Sequence, residues 1–141
     1  MTEPNIFTKW QSFAPYFKSI LRIVAAFMFM LSGASKLFAF PVGMPPNGGT
    51  AAFMSQAWIG GVLETFGGAL LLIGLFTRPV AFILAGEMAV AYFQFHAVRS
   101  PWPTINGGVA AVLYCFLWLY FSAAGAGLWS VDSKRRKAVT P

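Results

Sequence analysis

Four apolar stretches, each close to twenty residues long, leave this chain very few ways to fold. They run over residues 19–40, 57–76, 79–98 and 107–128. About twenty apolar residues in a helix are what it takes to cross a bilayer. Packed as soluble helices, four such stretches would leave a chain of 141 residues almost no polar surface to show to water. The composition agrees: 57% of residues are hydrophobic and 10% charged, whereas soluble domains carry about 25% charged residues. The expected fold class is all-α, an integral membrane four-helix bundle in one domain. Residues 1–18 form an arm before it and 129–141 a basic tail after it.

Positive charge orients the bundle. Lys9, Lys18 and Arg22 precede or open the first segment, Arg78 lies between the second and third, and Lys134, Arg135, Arg136 and Lys137 follow the fourth. Only Lys36 and Arg99 fall at the other end. Lys and Arg collect on the cytoplasmic side, so both termini are expected there. The same clustering at segment ends, rather than along one face, argues against nucleic acid as a partner despite the net charge of +6. In the arm, Ile6, Trp10, Phe13 and Phe17 recur on one helical face, the pattern of a helix lying on a lipid surface. Membrane lipids are thus an expected partner. The short Phe76-Thr77-Arg78-Pro79 turn makes the second and third segments antiparallel neighbours.

Two of the four acidic residues, Glu64 and Glu87, lie inside apolar segments. A carboxylate there costs about 2.5–3.5 kcal/mol on insertion scales and marks a functional site by default. Gly60, Gly67 and Gly74 recur every seven residues on the face of Glu64, so this helix-packing stripe should turn the carboxylate inward. At about 1.5 Å of rise per residue, Glu64 and Lys36 sit roughly 20 and 25 Å above the cytoplasmic end, and Glu87 and Arg22 roughly 12 and 5 Å. Two charge pairs are expected, Lys36–Glu64 and Arg22–Glu87. Buried pairs of this kind can also serve only to fix helix register. His96, the single histidine, lies nine residues after Glu87, half a turn out of phase, whereas Gln94 shares the Glu87 face. One histidine and carboxylates at different depths make no metal site. The single cysteine, Cys115, allows no internal disulfide. The chain carries no haem-attachment, phosphate-loop or dinucleotide motif, and no residue is marked as catalytic.

The residues also carry a likeness. Leu21-Arg22 is followed by Ser32-Gly33-Ala34-Ser35-Lys36-Leu37, then Glu64-Thr65-Phe66-Gly67-Gly68 and Gly74-Leu75-Phe76-Thr77-Arg78-Pro79. Gly86-Glu87-Met88-Ala89-Val90-Ala91-Tyr92-Phe93 and His96 come next, then Asn106-Gly107-Gly108, Leu113-Tyr114-Cys115-Phe116, and Gly125-Ala126-Gly127-Leu128-Trp129-Ser130-Val131-Asp132. In order and spacing the chain resembles the DoxX family of small four-helix membrane proteins. It departs at Val109, where relatives usually carry glutamate. The resemblance implies a multi-pass protein of a bacterial inner membrane, and an association with thiosulfate:quinone or thiol and oxidative-stress chemistry.

Three function classes follow. One is a subunit supporting a quinone-linked or thiol/sulfur redox complex, with no intrinsic cofactor and a bound quinone. In it Lys36, His96 or a protonated Glu64 donates to quinone oxygens. The others are a scaffold or assembly subunit of a larger membrane complex, and a small proton or solute carrier that would need a homo-oligomer. The first, joined to a supporting role in a complex, accounts for most of the buried charge.

Overall fold

A computed structural model describes residues 6–139, with side chains through Ala138, so residues 1–5 of the expected arm and 140–141 of the expected tail lie outside it. The described residues are helical apart from turns and one isolated bridge, Met44 with Gly49. The helices are α1 (Ile6–Ser12), α2 (Ala14–Phe38), α3 (Gln56–Val62), α4 (Gly68–Ile73), α5 (Thr77–Ala91), α6 (Pro103–Asn106), α7 (Val109–Ala124) and α8 (Val131–Val139). A π turn over Leu63–Gly67 joins α3 to α4 without a break. A second, over Tyr92–His96, extends α5.

Local chemistry sets the ends of these elements. Pro15 sits in the first turn of α2, where its missing N–H costs nothing. The arm and the first apolar segment therefore meet at Phe13, and the helix begins five residues before the expected boundary. Ser55 caps α3, its hydroxyl accepting from the Trp58 N–H at 3.2 Å. Gly74 closes α4 with φ +70, a conformation glycine adopts without Cβ strain. The tail, expected only as a basic extension, is helical from Val131, and Ser130 accepts from the Ser133 N–H at 3.1 Å.

Two helices are long and apolar enough to cross a membrane, Ala14–Phe38 and the continuous Gln56–Ile73; Val109–Ala124 is shorter and also apolar. Only 28% and 22% of the apolar windows of the two long helices are buried. A helix in a soluble core buries most of its apolar face. Here Val24, Phe27 and Met28 of α2, Phe82 and Ile83 of α5, and Leu113 and Phe116 of α7 all point outward.

Small residues bring the helices together. A Cβ on Gly33 would lie 2.4 Å from Thr65 Oγ1, and one on Gly68 2.6 Å from Met30 Cγ, so α2 and the Gln56–Ile73 rod touch almost backbone to backbone. Gly67 faces the other way, against Leu84 of α5. α5 packs along the length of α7. Phe29 of α2 joins them, its ring 5.4 Å from Trp118 and 5.0 Å from Tyr114 of α7. Phe29, Trp118, Phe121, Leu71 and Leu84 are fully buried and form the centre of the core.

Candidate functional site

The Lys36 ammonium lies 2.6 Å from Glu64 Oε1, an ion pair joining α2 to the π turn of the Gln56–Ile73 rod. Depth foretold this contact, but the glycines that face α2 beside Glu64 are Gly61 and Gly68, whereas Gly67 of the expected stripe faces α5. Glu64 is 2% exposed, and its Oε2 is buried without a hydrogen-bond partner. Glu87 joins from α5. A Cβ on Gly60 would stand 3.1 Å from Glu87 Oε1 and 3.9 Å from Lys36 Nζ, so the bare backbone of Gly60 is the surface over which the two groups approach. Glu87 Oε2 is buried and has no hydrogen-bond partner. One ammonium therefore faces two carboxylates.

The expected Arg22–Glu87 pair does not form. α5 starts at Thr77, two residues earlier than expected, which raises Glu87 toward the level of Gly60. Side chains lean toward the N-terminus of their helix, and this brings the Lys36 stem down to meet it. Arg22 is claimed instead by backbone at the opposite end, as described below.

A cavity of about 460 Å³ opens beside the cluster. Lys36, Glu87, Gln56 and His96 supply its polar atoms, and Ile59, Leu63, Ile83, Val90 and Phe95 are among its apolar walls. His96 and Glu87 border the same space, contrary to the half-turn offset expected from regular α-helical spacing. The π turn over Tyr92–His96 is the cause: it takes more residues per revolution than an α turn, which rotates His96 back toward the Glu87 side. His96 Nδ1 is 3.1 Å from the Asn106 carbonyl oxygen. Gln94 stays at the surface, where its Oε1 accepts from Gln56 Nε2 at the mouth. Met44 reaches the cavity from the loop after α2, held by the Met44–Gly49 bridge and by the Ala51 N–H donating to the Lys36 carbonyl at 2.7 Å. Both helices that carry a carboxylate of the cluster thus contain a π turn, a feature frequent at functional sites.

The family model that matches this chain is DoxX, over residues 17–97. The chain belongs to the DoxX family. An uncharacterized protein of Haemophilus influenzae is 44% identical over 127 residues, covering 88% of this chain and 94% of that protein. No solved structure matches the chain. Membership makes this a small membrane protein, and the outward apolar faces of its helices fit that setting. The DoxX match contains every charged or polar residue of the cluster and the cavity named above. Val109, at the head of α7, lies beyond it and is 40% exposed.

At the other end of this DoxX chain, charge meets backbone. Arg22 is fully buried and donates to the carbonyls of Leu71, Leu72, Ala126 and Trp129, at 2.7 Å to Leu72 and 2.8 Å to Ala126. The last carbonyls of a helix have no partner within it, and a five-donor guanidinium suits them. Gly74, expected on the packing stripe, ends α4 here; a Cβ on it would stand 3.0 Å from the Arg22 guanidinium.

Asp132 was not singled out from the sequence. Its carboxylate accepts from the Phe76 and Thr77 N–H groups, each at 2.9 Å, and its own N–H donates to the Gly74 carbonyl at 2.9 Å. It thereby caps α5 from across the fold. Burial works against its charge, yet the two N–H donors and the Arg135 guanidinium outweigh that and hold the carboxyl below its ordinary range. The available signal was that Thr77-Arg78-Pro79 opens a helix with no capping side chain of its own.

Proposed function

We propose that this DoxX protein crosses a bacterial inner membrane four times as a helical bundle, with both termini cytoplasmic, and that it supports a quinone-linked or thiol/sulfur redox complex. The cavity beside Lys36 and Glu87 receives the quinone head. The observation that carries this reading is Glu87, whose Oε2 is buried without a partner and whose side chain borders a largely apolar space. A buried polar atom left unmatched is costly, and a ligand group that pairs with it relieves the cost. A quinone ring suits the rest of the site. Its body lies against Ile59, Leu63 and Phe95, a carbonyl oxygen accepts from Lys36 or His96, and a quinol hydroxyl donates to Glu87. In this reading the electrons come from a partner in the complex.

Purification in mild detergent, followed by mass spectrometry of extracted lipids and of copurified proteins, tests this. Wild-type protein retains quinone, and Glu87→Gln, folded and inserted, loses at least about tenfold of it, the equivalent of one charge-assisted hydrogen bond. Copurified partners without quinone would instead support a scaffold, and neither would leave the carrier. Reporter fusions after Ser55, Arg78, Trp102 and Lys137 are expected to read outside, inside, outside and inside. An extracellular C-terminus would overturn the topology.

A further inference from the structure

A cavity of about 610 Å³, at the opposite end from Lys36, lies where the α4–α5 turn, the segment after α7 and α8 meet. Its walls include Arg78, Arg135 and Arg136. The one acidic wall residue, Asp132, is already engaged by the Phe76 and Thr77 N–H groups. Arg78 donates through Nη1 to the Ala123 carbonyl at 2.5 Å, and its guanidinium lies over Gly125, where a Cβ would stand 3.5 Å from Nη2. The Arg135 guanidinium rests 5.2 Å from the centre of the Phe76 ring. Positive charge is thus gathered around a space large enough for a phosphate group.

The surface leading away from this cavity is apolar. Phe82, Gly86 and Val90 follow Arg78 at four-residue steps, and all three are exposed. Residues four apart are neighbours on the helix surface, in a row that winds by about 40° per step. A Cβ on Gly86 would meet nothing within 4 Å, so the track is open along its middle. From Arg78 to Val90 the helix rises roughly 18 Å, close to the hydrocarbon depth of one leaflet, about half of 30 Å. A soluble anion would use only the arginines. The combination of a basic cavity with an apolar track of leaflet length matches a molecule that is anionic at one end and hydrocarbon for the rest.

We propose that the cavity walled by Arg78, Arg135 and Arg136 binds the phosphate head of an anionic phospholipid, whose acyl chain lies along Phe82, Gly86 and Val90. The phosphate site does not rest on the quinone reading and stands or falls without it, although Val90 at the far end of the track also borders the other cavity. Arg78 also serves α7, so the variants that test the site are the exposed pair Arg135→Gln/Arg136→Gln. The control is Lys134→Gln/Lys137→Gln, which removes the same charge from α8 outside the cavity.

The full chain, purified and delipidated in detergent, is titrated with dioleoyl phosphatidylglycerol, dioleoyl phosphatidylcholine or inorganic phosphate and read by native mass spectrometry, with melting temperature recorded for each variant. A basic side chain near an anionic lipid contributes about fivefold in binding. Phosphatidylglycerol should therefore bind at least tenfold more tightly than phosphatidylcholine. The arginine pair should lose about tenfold or more of that binding, and the lysine pair less than threefold. Equal binding of the two lipids overturns the proposal. So does a loss in the lysine pair equal to that in the arginine pair, which would mean diffuse attraction to the tail. Displacement of phosphatidylglycerol by millimolar inorganic phosphate overturns the lipid assignment in favour of a soluble anion.

Discussion

The two ends of this protein use buried charge in opposite ways. At the α4–α5 end, Arg22 is spent on four backbone carbonyls and Asp132 on two backbone N–H groups. These charges close helix ends. At the cluster, Lys36 meets Glu64 directly, but Glu87 retains a buried oxygen with no partner beside an open cavity. In the first arrangement the charges named are matched by backbone groups, whereas in the second a carboxylate oxygen of Glu87 is left without a partner. Polar groups that complete helix ends serve stability, whereas Glu87 is the charged residue whose buried, unmatched oxygen accompanies a cavity wall.

The strongest way to break that comparison is Arg22→Met. It strips donors from four carbonyls at once, and each buried carbonyl left unpaired costs about 1–3 kcal/mol. The expected loss is at least about 3 kcal/mol, read as a large fall in melting temperature in detergent or as failure to accumulate. A variant that melts like wild type would show that these carbonyls find water, and that Arg22 does not hold the two segments together.

Next in size is the ion pair. Lys36→Met leaves Glu64 buried without its counter-charge, a loss of about 3–5 kcal/mol. Lys36→Met/Glu64→Gln should lose less than the sum of the single variants. Strict additivity in the double-mutant cycle would mean that the two side chains act independently.

Asp132→Ala removes a helix cap and should cost about 0.5–2 kcal/mol. This group also carries a pH signature. Its carboxyl is held below its ordinary value of about 3.9, so its contribution is complete above about pH 4 and drains away as pH falls through the lower folded value. Melting curves of wild type and Asp132→Ala should be separated at neutral pH and converge as the medium is acidified below about 4. A gap that persists in acid would assign the effect to packing.

The smallest stability effect belongs to Glu87→Gln, below about 1 kcal/mol, because the amide keeps the shape and no direct partner is lost. That contrast with Arg22 is the sharpest form of the comparison: little change in melting, joined to lost quinone retention. A large destabilisation would place Glu87 among the structural charges.

Much of this was legible from the residues alone, and for identifiable reasons. Lys36 and Glu64 were matched by depth because both lie on long continuous helices. His96 was misplaced because periodicity assumes α geometry, and a π turn leaves no mark in hydropathy. Arg22 was assigned to the wrong partner because charge pairing considers side chains, while the strongest acceptors nearby were backbone carbonyls at a helix end. Asp132 escaped notice because its partners lie more than fifty residues away.

What the sequence determined by itself was the class of the chain: apolar segments of membrane length, their short connections, and a charge distribution with two carboxylates too costly to be incidental. These are properties of composition and spacing, and they survive any detail of packing. The tertiary structure decided which charges were satisfied. Glu87 and Lys36 both lie against the bare backbone of Gly60, and Arg22 serves carbonyls that exist as unpaired acceptors only once α4 has ended at Gly74. Whether a buried polar atom is complete depends on the neighbours that folding brings to it, and spacing along one chain does not contain that information.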